Sequence, residues 1–395
     1  MTAEYSPAVV CNADCYGCPY RRSRLELHAD ALAAGAAALE DDLHSSTRET
    51  ARRVVDAAYE GGVRGLLWTG GGEPTIWSPL LDLLRHAAER GIANGLYTNG
   101  FVLGTDPAYA RRLLEPERNL AFVRVSINTA TARTAKLHWG VEASEVAPQL
   151  AGLARLLEAR NDLGPAYGPG AIPSIQVSTI IDRNNVGDLP AICSTVAQIF
   201  GRHRRIEGVE DRMIVRPMTF HRPRYSSHDH SDAVIRQIIG VCGTSGIGRQ
   251  ALSAAGVDLF LGFGLQAVEM GTAPDYSTVI ESIYAARGVS LATGLFLTIG
   301  PSGAVYSSTE RNTDNRWTIG DLRTQTVEEI YGGERRRRLL DRLNEARWGP
   351  DVAQATSRTE RLDRIAAAIR DGVVSDDDVR DIGKIASTSH RLILD

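Results

Sequence analysis

The feature that most constrains the fold of this 395-residue chain is the alternation of short β-branched runs with amphipathic stretches. Strands that alternate with helices predict βαβ units, a parallel sheet and an α/β fold. Six such units favour a partial (β/α)6 parallel TIM-like barrel over a complete eight-fold barrel. The predicted strands are Ala8–Val10, Gly65–Thr69, Gly95–Thr98, Val123–Asn128, Ile175–Ile181 and Met213–Met218. The predicted helices are Thr47–Glu60, Leu80–Arg90, Pro107–Leu114, Val146–Arg160 and Leu189–Phe200.

Composition places the chain among ordinary globular proteins, with 43% hydrophobic and 23% charged residues. The net charge of −4 gives no reason to expect a nucleic-acid partner. No apolar run approaches the ~20 residues of a membrane span, and the N-terminus lacks the pattern of a signal peptide. We therefore expect a cytoplasmic protein without a membrane partner.

Polar and glycine-rich segments follow the predicted strands. Cys11, Cys15 and Cys18 follow the first strand, and "GGGEP" (Gly70–Pro74) follows the second. Asn99 follows the third strand and Asn128 ends the fourth. Because ligands bind at the carboxyl ends of parallel strands, we expect these segments to meet at one rim.

Three interpretations compete for the three clustered cysteines. An odd total of five cysteines argues against a disulfide framework. A buried group of thiols is a poor use of a polar loop, and structural zinc usually takes four ligands. A [4Fe–4S] cluster takes thiolates at this close spacing. Three thiolates would leave one of its four irons open to another ligand.

Together, Cys-x3-Cys-x2-Cys and "GGGEP" resemble the radical S-adenosylmethionine (SAM) superfamily, over about residues 5 to 218. The resemblance implies a [4Fe–4S] cluster on Cys11, Cys15 and Cys18, with SAM on the fourth iron. It implies an enzyme that cleaves SAM reductively and abstracts a hydrogen with a 5′-deoxyadenosyl radical. It also implies an electron donor such as flavodoxin or ferredoxin as a partner.

Further SAM contacts are assigned by the same resemblance, each beside a structural alternative. Glu73, preceded by glycines, would accept a hydrogen bond from the SAM ammonium, but it also suits a helix N-terminus. Ser126 and Asn128 also suit the polar face of a strand, and Asn99 also suits a turn. Arg216 would hold the SAM carboxylate or an acidic group of the substrate. The full set of predicted cofactor-binding residues is Gly70, Gly71, Gly72, Glu73, Asn99, Ser126, Asn128, Ser178 and Arg216.

The second half predicts an α+β extension. We place a radical SAM barrel at 1–225 and the extension at 226–395. Gly294–Thr309 reads as a β-hairpin around "GPSG", and the last 35 or so residues read as two amphipathic helices. The stretch resembles a SPASM or twitch extension that lacks the cysteines for an auxiliary cluster.

The missing auxiliary cluster favours a redox-neutral reaction, because no second cluster would accept an electron. We expect an epimerase that acts on a polar small molecule, sugar- or nucleoside-like, as in natural-product or antibiotic biosynthesis. Cys242, near a glycine-rich break, is the predicted catalytic hydrogen-atom donor, ahead of Cys193. Because the cysteines begin at residue 11, we expect no N-terminal leader-peptide-binding domain and no cobalamin domain. A dehydratase, a dehydrogenase, a peptide-modifying enzyme and a non-catalytic Fe–S sensor remain alternatives.

Overall fold

The computed structural model describes residues 1–15, 18, 45–140, 146–168, 170–203, 205–218, 232–262, 265–271, 296–306 and 318–338. Within these residues, ten strands form one sheet in the order β10-β9-β8-β1-β2-β3-β4-β5-β6-β7. The strands are β1 Thr2–Tyr5, β2 Gly65–Trp68, β3 Ala93–Thr98, β4 Leu120–Ser126, β5 Ser174–Ile181, β6 Arg212–Pro217, β7 Asp258–Leu261, β8 Phe296–Ile299, β9 Ala304–Tyr306 and β10 Thr318–Asp321.

The strands from β8 through β1 to β7 are parallel, and β9 and β10 are antiparallel additions. This mostly parallel sheet with helices confirms the predicted α/β partial-barrel class. The helices are α1 Arg48–Glu60, α2 Leu80–Glu89, α3 Phe101–Thr105, α4 Tyr109–Leu113, α5 Ala132–Trp139, α6 Val146–Leu163, α7 Leu189–Gly201, α8 Asp232–Cys242, α9 Ile247–Ala254, α10 Leu265–Glu269 and α11 Val327–Gly332.

The helices cover one face of the sheet and enclose the main hydrophobic core. In α1, for example, the Thr47 side chain caps the first turn, and the buried face presents Val54, Val55 and Ala58. On each strand, alternate residues join this core, such as Val123 and Val125 on β4. The intervening residues point to the opposite, inner face.

The prediction of the first strand at Ala8–Val10 is wrong. The strand is Thr2–Tyr5, which pairs with β2 on one side and β8 on the other. Ala8 and Val10 instead accept backbone hydrogen bonds from Gly72 and Glu73. The strand is therefore earlier in the chain, and the segment before Cys11 pairs with the glycine loop.

The predicted hairpin in the second half is confirmed. Strands β8 and β9 are antiparallel, with Thr298 opposite Tyr306, and Gly303 adopts a positive φ of 88° in the turn. β7 pairs with β6, and β8 with β1, so the sheet is continuous on both sides of the proposed 225/226 boundary. The predicted C-terminal helices lie outside the described residues. Among the described helices, none is long and apolar enough to cross a membrane.

Candidate cluster and cofactor site

The cysteine loop rests on a small hydrophobic cluster of its own. Cys11, Cys15 and Cys18 are half-buried thiols, not disulfides. Cys11 and Cys15 pack against a group comprising Ala13, Phe101, Ala135 and Trp139. The Asp14 amide donates to the Trp139 carbonyl at 2.8 Å. Helices α3 and α5 thus support the loop from outside the sheet.

The arrangement of the three thiols suits an iron–sulfur cluster better than it suits a single metal ion. Among the described residues, no three His, Cys, Asp or Glu side chains are grouped to hold a single metal ion. In a [4Fe–4S] cluster each cysteine binds a different iron, so the thiolates need not converge. Their spacing in one half-buried loop suits that donor set.

Gly72 of "GGGEP" is required by the packing of the chain itself. The Gly72 amide donates to the Ala8 carbonyl at 2.9 Å, and the Glu73 amide to the Val10 carbonyl at 2.8 Å. A Cβ on Gly72 would lie 1.9 Å from the Val10 carbonyl oxygen. We expected these glycines to admit a ligand; at Gly72 the close neighbour is the backbone leading into Cys11.

We therefore expect Gly72→Ala to reduce iron incorporation to a small fraction of the wild-type level. Backbone atoms cannot rotate aside as a side chain can, so the segment carrying Cys11 must shift. Iron content after anaerobic reconstitution measures the effect. Gly164→Ala is the matched control, since a Cβ there meets nothing within 4 Å. Equal iron content in both variants would contradict this account.

Glu73 is buried, with 3% of its surface exposed, and four protein donors surround its carboxylate. Oε1 accepts from the Thr75 amide, the Thr75 hydroxyl and the Thr98 hydroxyl at 3.0, 2.6 and 2.7 Å. Oε2 accepts from the Asn99 amide at 2.7 Å. Burial raises the pKa of Glu73, and these hydrogen bonds oppose the rise. Glu73 also caps the short helical turn Pro74–Ile76, as the alternative interpretation predicts. Its Oε2 atom can still accept one more hydrogen bond.

Asn99 links the glycine loop, the cysteine loop and α3. Its side chain accepts from the Phe101 amide at 3.1 Å and donates to the Asn12 Oδ1 at 2.7 Å. Its carbonyl accepts from Gln149 Nε2 at 2.8 Å. Asn99 thus has the turn role considered above, and its SAM contact stays a prediction. Sequence reasoning missed Asn12 and Gln149, because their partners are distant along the chain.

The structure brings three of the predicted polar residues to the inner face. Ser126 on β4 lies opposite Ser178 on β5, and Arg216 on β6 lies opposite Ile180, two residues further along β5. Asn128 is different, because its Oδ1 accepts from the Ile180 amide at 2.9 Å and extends the β4–β5 pairing. The Asn128 side-chain oxygen is thus used in the sheet, and the predicted cofactor contact of this residue stays a prediction.

A buried polar group that sequence reasoning missed lies one inner-face position below Ser126 and Ser178. Arg124 Nη1 donates to the Tyr97 hydroxyl at 2.5 Å. Its Nε and Nη2 both donate to Gln176 Oε1, at 2.9 and 2.7 Å. Burial disfavours the charged form of each group. It therefore raises the pKa of Tyr97 and lowers the pKa of Arg124. The alternation of these residues with apolar ones on β3, β4 and β5 was the available signal.

The structure does not bring Cys242 to this rim. Cys242 ends α8, is fully buried, and lies with its Sγ 3.9 Å from the Sγ of Cys193 on α7. The contact with Cys193, together with burial, raises the pKa of the Cys242 thiol. Both thiols belong to the core between the sheet and the helices. The proposed donor therefore lies on the side of the sheet opposite Ser126 and Arg124.

The comparisons with known proteins agree with this geometry. A family model described as the radical SAM superfamily matches residues 5–159. SuiB of Streptococcus suis has a similar fold, with a TM-score of 0.57 and 13% identity over 86% of this chain and 68% of that chain. The structure of SuiB bound to S-adenosylmethionine gives a TM-score of 0.56 and 12% identity, over 86% of this chain and 67% of that chain. The structure of SuiB bound to the precursor peptide SuiA gives a TM-score of 0.56 and 13% identity, over 85% of this chain and 66% of that chain. No curated protein matches the sequence.

The chain is an α/β protein whose parallel sheet carries a three-cysteine loop and a glycine-glutamate loop at its carboxyl edge. More particularly, residues 5–159, less than half of the chain, match the model of the radical SAM superfamily. The cofactors of this class are a [4Fe–4S] cluster and SAM.

Proposed function

We propose that the chain abstracts a hydrogen atom from a polar small molecule of the sugar or nucleoside class. The observation that supports this substrate class is the polar inner face next to the cysteine rim. Tyr97, Arg124 and Gln176 form one hydrogen-bonded layer, and Ser126 and Ser178 follow it toward the carboxyl ends. Hydroxyl, amide and guanidinium groups of this kind recognise a hydroxylated or anionic ligand.

Arg124 carries the argument for a polar substrate. Its side chain is buried, and within the described residues its hydrogen-bond partners are neutral oxygens, not carboxylates. Those bonds use three of its five N–H donors. A buried cation is costly without an anion or further acceptors. A substrate hydroxyl, carboxylate or phosphate would supply them.

The residues at the rim have separate roles in this proposal. When bound, the cluster supplies the electron that splits SAM into methionine and the 5′-deoxyadenosyl radical. Cys11, Cys15 and Cys18 hold the cluster, and Glu73 Oε2 accepts from the SAM ammonium. Gly72 and Asn99 hold the two loops in register. The barrel wall excludes water from the reacting carbon.

The test uses anaerobically reconstituted protein, reduced with dithionite, with SAM and panels of sugars and nucleosides. We expect 5′-deoxyadenosine formation that rises many-fold with one small molecule. SuiB binds a precursor peptide in one solved structure, so a second panel contains synthetic peptides. Stimulation by peptides alone would overturn the proposed substrate class. Absence of SAM cleavage from a loaded, reduced cluster would favour a binding or sensor protein.

Epimerisation is the net reaction we propose, with Cys242 as the donor that returns a hydrogen to the substrate radical. A thiol suits this step because its S–H bond is weak. The substrate radical would have to reach Cys242 from the inner face, although this thiol is packed against Cys193. Dehydration and oxidation are the alternative outcomes.

Two matched variants separate a donor from a core thiol. On the donor proposal, Cys242→Ala abolishes solvent deuterium in an isomeric product formed in D2O, while Cys193→Ala retains it. Both substitutions remove one sulfur from the same buried contact. Mass spectrometry of the product gives the readout. Equal deuterium in both variants and the wild type, or a product two mass units lighter, would remove Cys242 from the chemistry.

A further inference from the structure

Within the residues that the structure describes, the buried indole N–H of Trp139 has no hydrogen-bond partner. Only 4% of the Trp139 surface is exposed. A buried donor left unpaired is unfavourable, because it has lost its hydrogen bond to water and gained none in the protein. Two other buried tryptophans are satisfied: Trp68 Nε1 donates to Asn94 at 2.7 Å, and Trp77 Nε1 donates to the Ser46 carbonyl at 3.0 Å. The unpaired donor at position 139 therefore calls for an acceptor that the described part of the chain does not provide.

Trp139 lies beside the cysteine loop. It is the last residue of α5, and its carbonyl accepts from the Asp14 amide, between Cys11 and Cys15. Its ring stands edge-on to Phe101, with centroids 6.1 Å apart and an interplanar angle of 83°. Both rings belong to the hydrophobic group on which Cys11 and Cys15 pack.

The following residue keeps this contact close. Gly140 has a φ of 65°, which favours glycine, and a Cβ there would lie 3.0 Å from the Asp14 carbonyl oxygen. The end of α5 is thus fitted against the middle of the cysteine loop by a hydrogen bond and by close backbone contact. The indole is therefore held in the wall around Cys11 and Cys15.

We propose that Trp139 Nε1–H donates a hydrogen bond to a sulfur of the [4Fe–4S] cluster, either a cysteine thiolate or a bridging sulfide. This inference rests on the proposed function, since it requires the cluster on Cys11, Cys15 and Cys18. Cluster sulfurs carry negative charge, and hydrogen bonds to them tune the reduction potential. The bond stabilises the reduced cluster more than the oxidised one, because the reduced form carries one more negative charge. Through this hydrogen bond, Trp139 makes the cluster easier to reduce.

The first test is an EPR-monitored redox titration of the reconstituted holoprotein. Trp139→Phe keeps an aromatic ring but removes the N–H, and we expect its midpoint potential to shift to a more negative value. Trp77→Phe is the matched control, because it removes a buried indole whose N–H is bound to Ser46. An unchanged potential in a loaded Trp139→Phe protein would overturn the proposal.

A second measurement does not depend on the variant. The wild-type protein is labelled with indole-15N tryptophan, its cluster is reduced, and ENDOR detects nitrogen coupled to the cluster. We expect one coupled indole nitrogen, and its absence would overturn the proposal even where Trp139→Phe does not load. If the wild-type protein itself forms no [4Fe–4S] cluster, the proposed function fails. If it loads and cleaves SAM without a coupled indole, only the role of Trp139 fails.

Discussion

Replacing Cys11, Cys15 or Cys18 singly by alanine is expected to abolish reductive cleavage of SAM. Three thiolates for four irons leave no protein ligand to spare, and the loss of one leaves the cluster held at two irons. Iron and sulfide content should fall together with the EPR signal of the reduced cluster. The fold should persist, because the loop lies outside the main hydrophobic core. Far-UV circular dichroism and the thermal midpoint of the apo-protein should stay close to those of the wild type.

Cys193→Ala is the control for this series. Cys193 is a buried thiol on α7, in contact with Cys242 and apart from the cysteine loop. The variant should retain the cluster and cleave SAM in the presence of substrate. Full iron content and SAM cleavage in any one of the loop variants would remove that cysteine from the ligand set.

Glu73→Ala should lower the free energy of unfolding of the apo-protein by about 3 kcal/mol or more. The substitution leaves donors from Thr75, Thr98 and Asn99 without their acceptor, and each unpaired buried donor costs about 1–3 kcal/mol. Chemical denaturation of the apo-protein measures the change. Glu49→Ala is the control, because Glu49 is 76% exposed and its ion pair with Arg53 is worth about 0.5 kcal/mol or less.

Glu73→Gln separates the structural role of this side chain from the cofactor role. The amide keeps one oxygen acceptor and the shape of the side chain, but it removes the negative charge. We expect stability between that of the wild type and that of Glu73→Ala, and a SAM affinity reduced at least about tenfold by loss of a charge-assisted hydrogen bond. Equilibrium dialysis of SAM with the reconstituted variant gives the affinity. If Glu73→Gln binds SAM with wild-type affinity, the role of Glu73 is only to connect two loops by hydrogen bonds.

The sequence by itself determined the class of fold and predicted the place of the cofactor chemistry. Strand and helix formation depend on periodicities of two and 3.6 residues, which are local and visible along the chain. The β2–β6 strands and the hairpin near Gly303 were predicted in this way. The cysteine motif was equally accessible, because its three thiols fall within eight residues. The failure at Ala8–Val10 has a non-local cause: that segment pairs with Gly72 and Glu73.

Tertiary structure decided which of the candidate side chains are neighbours. Ser126 and Ser178 meet because β4 and β5 pair in one register, and the same register brings Arg124 to Gln176. Cys242 instead meets Cys193, because α7 and α8 pack on the covered face of the sheet. The close approach of Gly72 to Val10 likewise joins segments more than 60 residues apart. Such contacts depend on long-range packing, and local patterns of apolar residues carry no information about which partner each side chain will meet.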